Sequence, residues 1–152
     1  MSVAFRRETD DEHLEPRFEI PIPPGPNLVT ARGLSVIDDR VRELEDRLRG
    51  LDGEAEKAAK RDLRYWQTRQ ITAELAPAPD GRTVEFGTKV AFKLNGKPRV
   101  LSIVGDDEAD PAHDLISWSA PLARAMIGAE TGEILPFGGR EDAIEVLGIE
   151  VL

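Results

Sequence analysis

Residues 84–135 read VEFGTKVAFKLNGKPRVLSIVGDDEADPAHDLISWSAPLARAMIGAETGEIL, and the periodicity of this stretch decides the fold class. Val90, Phe92 and Leu94 alternate with Lys89, Ala91 and Lys93, the period of two expected of a strand with one buried face. Asn95-Gly96 follows at once, a pair that tolerates the positive φ angles of a tight hairpin turn, and leads into a second predicted strand from Arg99 to Val104. The acidic run Gly105 to Asp110 reads as a loop, Leu115 to Trp118 as a short strand, and Ala120 to Ile127 as a short helix stopped by Gly128. Further on, Glu133 to Phe137, the Gly138-Gly139 turn and Ala143 to Val151 predict a closing hairpin. Strands with one short helix make this half α+β, a mostly antiparallel sheet with a helix on one face.

Upstream the period changes to that of a helix. Leu34, Ile37, Val41, Leu44, Leu48 and Leu51 recur at alternating steps of 3 and 4, an a/d seam opened by Thr30 as N-cap. Arg42/Asp46, Glu43/Arg47 and Glu45/Arg49 are candidate i,i+4 ion pairs on its outside, each worth a few tenths of a kcal/mol. Gly50 and Gly53 flank Leu51 and Asp52 and predict a reversal. A second helix follows from about Glu54 with a weaker seam through Ala55 or Ala59, Leu63, Trp66, Gln70 and Ala73, so residues 30–76 form an antiparallel helical hairpin. Residues 1–29 hold the PIPPGP stretch, Pro21 to Pro26, which removes backbone donors and excludes a helix or central strand; they are expected to be an extended, acidic arm. The third segment, 82–152, is the sheet domain.

Composition bounds the function. The 152 residues include 40% apolar and 32% charged side chains, within the globular range. The net charge of −9 divides as −3 for the arm, 0 for the helical segment and −6 for the rest, which disfavours long-range attraction to nucleic acid or anionic membrane and suits a basic partner surface. The absence of cysteine excludes disulfides, thiol catalysis and Cys-based zinc sites, and His13 and His113 are too few for a histidine-rich metal centre. No apolar run approaches the ~18 residues of a membrane span. The first residues, acidic directly after an arginine pair, do not read as a secretory signal, so a cytoplasmic location is expected.

Several motifs then occur in one order over about 70 residues: Phe86-Gly87, Ile103-Val104-Gly105-Asp106-Asp107-Glu108-Ala109-Asp110, Ile116-Ser117, and Pro121-Leu122-Ala123-Arg124-Ala125-Met126-Ile127-Gly128. This series resembles the C-terminal domain of the GreA/GreB transcript cleavage factors, and the opening TARGL, Thr30 to Leu34, looks like the start of that family's first coiled-coil helix. The resemblance implies an FKBP-like C-terminal domain that docks at the secondary channel of bacterial RNA polymerase, with an N-terminal coiled coil entering the channel. Two acids at the coiled-coil tip then help hold the polymerase's second catalytic magnesium, since carboxylates are hard oxygen ligands. No cofactor of the chain's own is implied, and the factor is not itself an enzyme. This sequence departs from the family at the tip, where Gly50-Leu51-Asp52-Gly53-Glu54-Ala55-Glu56 replaces a motif resembling GDLxENAEY. The finger also reads as shorter by roughly ten residues per arm, on the order of 15 Å of reach.

The candidate residues follow. Asp52, Glu54 and Glu56 are tip acids, either magnesium ligands in trans or, as the commoner alternative, ordinary helix caps. Lys57, Lys60, Arg61 and Arg64 face the RNA 3′ end by resemblance, or form a solvated helix face. Asp106, Asp107, Glu108 and Asp110 repel one another and gain little in an isolated fold, which favours a partner-facing role over a plain surface turn. Ser119, Ala120 and Pro121 lie where the family presents a docking turn, with Ala120 in place of the family's usual Ser before Pro. Leu122, Met126 and Ile127 are expected in the core, and Trp118 is either core or an exposed anchor. Two other functions are weighed: a peptidyl-prolyl isomerase, suggested only by the fold, and an adaptor acting on another enzyme, as the short-fingered nucleoside diphosphate kinase regulators are named. A monomer is expected, its seam closing within one chain.

Overall fold

The computed structural model of the chain describes residues 19–152, so His13 and most of the predicted arm lie outside the described residues. In order, the elements are β1 (Leu28–Val29), α1 (Ala31–Leu48), α2 (Gly53–Thr72), β2 (Glu74–Leu75), β3 (Thr88–Leu94), β4 (Lys97–Val104), β5 (Leu115–Ser117), α3 (Pro121–Met126), β6 (Ile134–Phe137) and β7 (Arg140–Val151). A 3-10 turn, Pro111–His113, stands before β5.

Thr30 caps α1, accepting a hydrogen bond from the Gly33 amide at 3.0 Å. Along α1 the seam residues Ile37, Val41 and Leu44 are buried against α2, and Leu34 and Leu48 half-buried. The two helices run in opposite directions, for Asp38 accepts from the Gln70 amide nitrogen at 2.9 Å while the Arg40 guanidinium lies 5.4 Å from the Trp66 ring. The surface ion pairs differ from those expected: they join Arg40 to Glu43, Arg42 to Asp39 and Arg49 to Asp46, all at i,i+3. On α2, Ala59 is buried and Leu63 and Trp66 half-buried, but the inward residue of the next turn is Arg69 and not Gln70.

Five strands form one mixed sheet in the order β5-β4-β3-β7-β6. All neighbours are antiparallel except β4 and β5, which pair in parallel from Ser102↔Leu115 to Val104↔Ser117. Asn95 (φ 51°) and Gly96 (φ 84°) both take positive φ in the turn between β3 and β4, the geometry that matches the natural strand twist. Gly138 (φ 61°) and Gly139 (φ 87°) do the same between β6 and β7. A bulge on β7 lets Ala91 face Gly148 while Phe92 faces Val146, leaving Leu147 outside the pairing.

The core lies on one face of the sheet, where Val90, Phe92, Leu101, Ile103 and Ile144 pack against Ala123 and Met126 of α3. Ile127 was expected among them but is 40% exposed, because α3 ends at Met126 and the backbone turns extended at Ile127 (ψ 129°); Ala123 takes the inward place. One pairing has no counterpart in the sequence reading: β1 and β2 join in parallel, with Glu74 N–H donating to Asn27 O at 2.8 Å and Ala76 N–H to Val29 O at 3.0 Å. These bonds tie the entrance of α1 to the exit of α2.

Leu44 is 1% exposed in the helix interface, so Leu44→Ala is expected to lower unfolding free energy by about 2–5 kcal/mol in urea titrations, while Leu75→Ala, at 62% exposure, changes it by less than about 0.5 kcal/mol.

Candidate functional site

The site is built on the acidic loop after β4. Its root, Gly105, has no room for a side chain, since a Cβ there would stand 2.3 Å from the carbonyl oxygen of Leu28. The loop backbone is thereby pressed onto β1, and the three acids that follow are delivered to three different places.

Asp106 turns toward the sheet domain, accepting from the hydroxyls of Ser117 at 2.5 Å and Ser119 at 3.2 Å. Asp107 turns into the base of α2, where its carboxylate accepts from Arg69 Nε at 2.5 Å and from the Tyr65 hydroxyl at 2.5 Å. Arg69 Nη2 donates to Asn27 Oδ1 at 2.7 Å and lies 3.8 Å from Asp106; Asn27 Nδ2 donates back to the Arg69 carbonyl at 2.8 Å. Glu108 reaches the start of α1, accepting from the Thr30 hydroxyl at 2.5 Å and from Arg32 at 3.0 Å. Gly33 makes the space, because a Cβ there would meet Glu108 Oε1 at 2.9 Å. Asp110, more open, pairs with His113 at 2.6 Å and caps the 3-10 turn.

These contacts correct the expectation that four neighbouring acids gain little within the fold. Asp107 and Glu108 have side chains only 5% and 4% exposed, so neither presents its carboxylate to a partner. Arg69 and Arg32 supply the opposing charge, from positions remote in sequence. Sequence reasoning missed Arg69, although its spacing is a signal: three residues after Trp66, it fits the helical step as well as Gln70, four residues after. Burial, and after it the hydrogen bond to Asp107, push the Tyr65 hydroxyl well above its usual range.

Beside Asp106 lies the predicted docking turn. Ser119 and Pro121 are exposed and Ala120 half-buried; Ala120 is the N-cap of α3 and Pro121 its first residue, where a missing N–H costs nothing. Trp118 is half-buried against the core, its indole nitrogen enclosed without a hydrogen-bond partner among the described residues, so it belongs to the packing and is not an exposed anchor. At the far end of the helices, Asp52 holds the N-cap position of α2 but its side chain makes no capping bond. Glu54 is 93% exposed, 3.8 Å from Lys57, and Glu56 pairs with Lys60 at 2.7 Å. Lys57, Lys60, Arg61 and Arg64 line a groove of about 670 Å³ along α2 with Glu19, Glu54 and Ala58. Among the described residues no three acids or histidines converge as a metal cage. Phe92, one of the aromatics an isomerase pocket would need, is fully buried in the core.

Residues 78–150 match the family described as "Transcription elongation factor, GreA/GreB, C-term". Transcription elongation factor GreA of Caulobacter vibrioides is 31% identical over 152 aligned residues, covering 82% of this chain and 97% of that protein. The chain belongs to the GreA/GreB family. Transcription elongation factor GreB of Neisseria meningitidis serogroup A is 36% identical over 117 residues, 74% of this chain, and the chain spans 64% of that relative's length. Among solved structures, the GreA factor homolog 1 (Gfh1) of Thermus thermophilus is similar at 16% identity and a TM-score of 0.39, covering 83% of this chain and 99% of that one.

Two outcomes are expected of the acidic loop. Arg69→Met orphans a buried carboxylate and is expected to cost about 3–5 kcal/mol in urea unfolding, much of it recovered in the double variant Arg69→Met/Asp107→Leu; equal losses in both would show that the pair is not the cause. The Tyr65 hydroxyl titrates higher when folded than its ordinary 10.0, so the folded chain holds that proton more tightly. The resulting stability is full below the unfolded value and is lost as pH rises above it. Urea midpoints measured on either side of that value should fall more steeply for the natural chain than for Tyr65→Phe.

Proposed function

We propose that this chain is a Gre-type regulator that binds bacterial RNA polymerase at the rim of its secondary channel and has no catalysis of its own. Residues 82–152 act as the FKBP-like docking domain, and residues 30–76 as a coiled-coil finger directed into the channel, near the RNA 3′ end. The docking contacts fall to the exposed turn Ser119, Ala120 and Pro121, together with the accessible parts of Asp106 and Asp110. Asp107 and Glu108 act behind them, by holding the helices against the loop that carries Asp106. The observation that carries this reading is the exposure of Ser119 and Pro121 beside Asp106, in a chain of the GreA/GreB family.

The helices number 18 and 20 residues. At ~1.5 Å per residue that is a finger of roughly 30 Å, on the order of 15 Å less than the family resemblance implies. A carboxylate must come within ~2 Å of a magnesium ion to ligate it. Asp52, Glu54 and Glu56 therefore stop short of the polymerase's catalytic metal, and the factor occupies the channel without stimulating cleavage. Such a factor works as a monomer in the cytoplasm and modulates transcription or competes with longer channel factors.

The test mixes the purified chain with bacterial RNA polymerase holding a backtracked RNA and magnesium, and follows complex formation and RNA length together. Binding with RNA of unchanged length is expected, with affinity falling at least about tenfold, ~1.4 kcal/mol, in Pro121→Arg. Shortened RNA would refute the length argument, and absence of binding would refute the docking assignment.

A further inference from the structure

The PIPPGP stretch, Pro21 to Pro26, lies beside the C-terminal half of α2 as a strap pinned at both ends. Before it, Glu19 accepts from Arg64 Nε at 2.8 Å; after it, the buried Asn27 donates from Nδ2 to the Arg69 carbonyl at 2.8 Å and to the Thr72 hydroxyl at 3.2 Å. Proline fixes φ at Pro21, Pro23 and Pro24, and Ile20, Ile22 and Pro23, each standing before a proline, are confined to extended conformations. Together these restrictions give a short polyproline II run with three residues per turn. Exposure follows that period: Ile20 and Pro23 are half-buried, whereas Pro21 and Pro24 form an outer ridge with Ile22, 46% exposed, beside it. Gly25 (φ 87°) ends the run.

The helix below the first anchor is apolar on its outside as well. Ile71 stands seven residues, about two turns, after Arg64 and so on the same side of α2, and Leu75 follows in β2. They are 81% and 62% exposed, the highest values of any large apolar side chain among the described residues. Left in water they contribute nothing to folding, and covering them is favourable. Covering the ridge costs little, since its prolines carry no N–H to be stranded and a strap pinned at both ends has little conformational freedom left to lose. The strap is also continuous with the docking turn: Arg69, which donates to Asn27, lies 3.8 Å from Asp106, and Asp106 accepts from Ser119. We propose that Pro21, Ile22, Pro24, Ile71 and Leu75 form a second, apolar contact with bacterial RNA polymerase, packing on apolar or aromatic side chains at the mouth of the secondary channel. This rests on the docking reading above, because a chain seated by its turn at Ser119 with its helices in the channel brings the finger base, where the strap lies, against that mouth.

Equilibrium affinity for bacterial RNA polymerase is measured for the full natural chain, the double variant Ile22→Ser/Ile71→Ser, Leu75→Ala and, as a control on docking, Pro121→Arg. The double variant is expected to bind at least about fivefold more weakly, and Leu75→Ala at least about twofold. Their urea midpoints should match that of the natural chain, because all three side chains are exposed. The loss should persist at high salt, which screens charges but not apolar contacts. Natural affinity in both patch variants, with Pro121→Arg weakened, would overturn the apolar contact and leave the docking turn standing. A loss confined to low salt would overturn it as well. No binding by the natural chain would refute the docking reading, and this contact with it. Self-association of the free chain that Ile22→Ser/Ile71→Ser abolishes, with polymerase affinity unchanged, would assign the patch to a second copy instead.

Discussion

Arg69 and Asp107 meet at 2.5 Å with side chains 2% and 5% exposed, and most of what is particular to this molecule is arranged around that contact. Bringing two charges out of water is expensive, so the pair is tolerable only because the remaining donors and acceptors are answered. Asn27 takes one guanidinium nitrogen and returns its own amide to the Arg69 carbonyl, while Tyr65 shares the carboxylate. Asn27 leads into β1, Arg69 and Tyr65 come from α2, and Asp107 comes from the sheet domain. A single charge pair thus draws three parts of the chain to one point, where a purely apolar contact would allow sliding.

The neighbouring residue completes the geometry. Glu108 engages the first turn of α1 through Thr30 and Arg32, so consecutive acids grip the two helices separately. Two grips on a helical pair oppose rotation as well as displacement. Gly33 and Gly105 serve the same end, since a methyl group at either would collide with Glu108 or with the Leu28 carbonyl. The parallel pairing of β1 with β2 joins the two helix bases directly, beside the loop that packs on Leu28. Orientation of the helical pair relative to the sheet is therefore set by short polar contacts at its base, and the distance from the turn at Ser119 to the reversal at Gly50 is set with it.

What could be read from sequence depended on whether a signal was periodic or local. The alternation around Val90 to Leu94 and the Asn95-Gly96 pair located the first hairpin, because pleat and turn geometry each leave a local mark. The α1 seam was legible for the same reason, and Ile37, Val41 and Leu44 are buried accordingly. The two-residue strands β1 and β2 are too short to show a period, and the parallel pairing of β5 leaves no mark of its own. The purpose of Asp107 and Glu108 was hidden because their partners are 38 and 76 residues away. At the candidate site, residue types and loop position were legible; which acids remain accessible was not, since that depends on Arg69 and Arg32 arriving from elsewhere.

The edges of the sheet carry a further consequence. Its long strands, β4, β3 and β7, lie in the middle, and it is bounded by β5 with three residues and β6 with four. Pro136 within β6 removes a backbone donor from that edge. β5 covers only Ser102–Val104 of β4, and β6 pairs only with the first half of β7, so residues 97–101 of β4 and 148–151 of β7 are paired on one side alone. An added strand would find only these two short stretches of ladder, and elsewhere on the sheet recognition falls to side chains and turns.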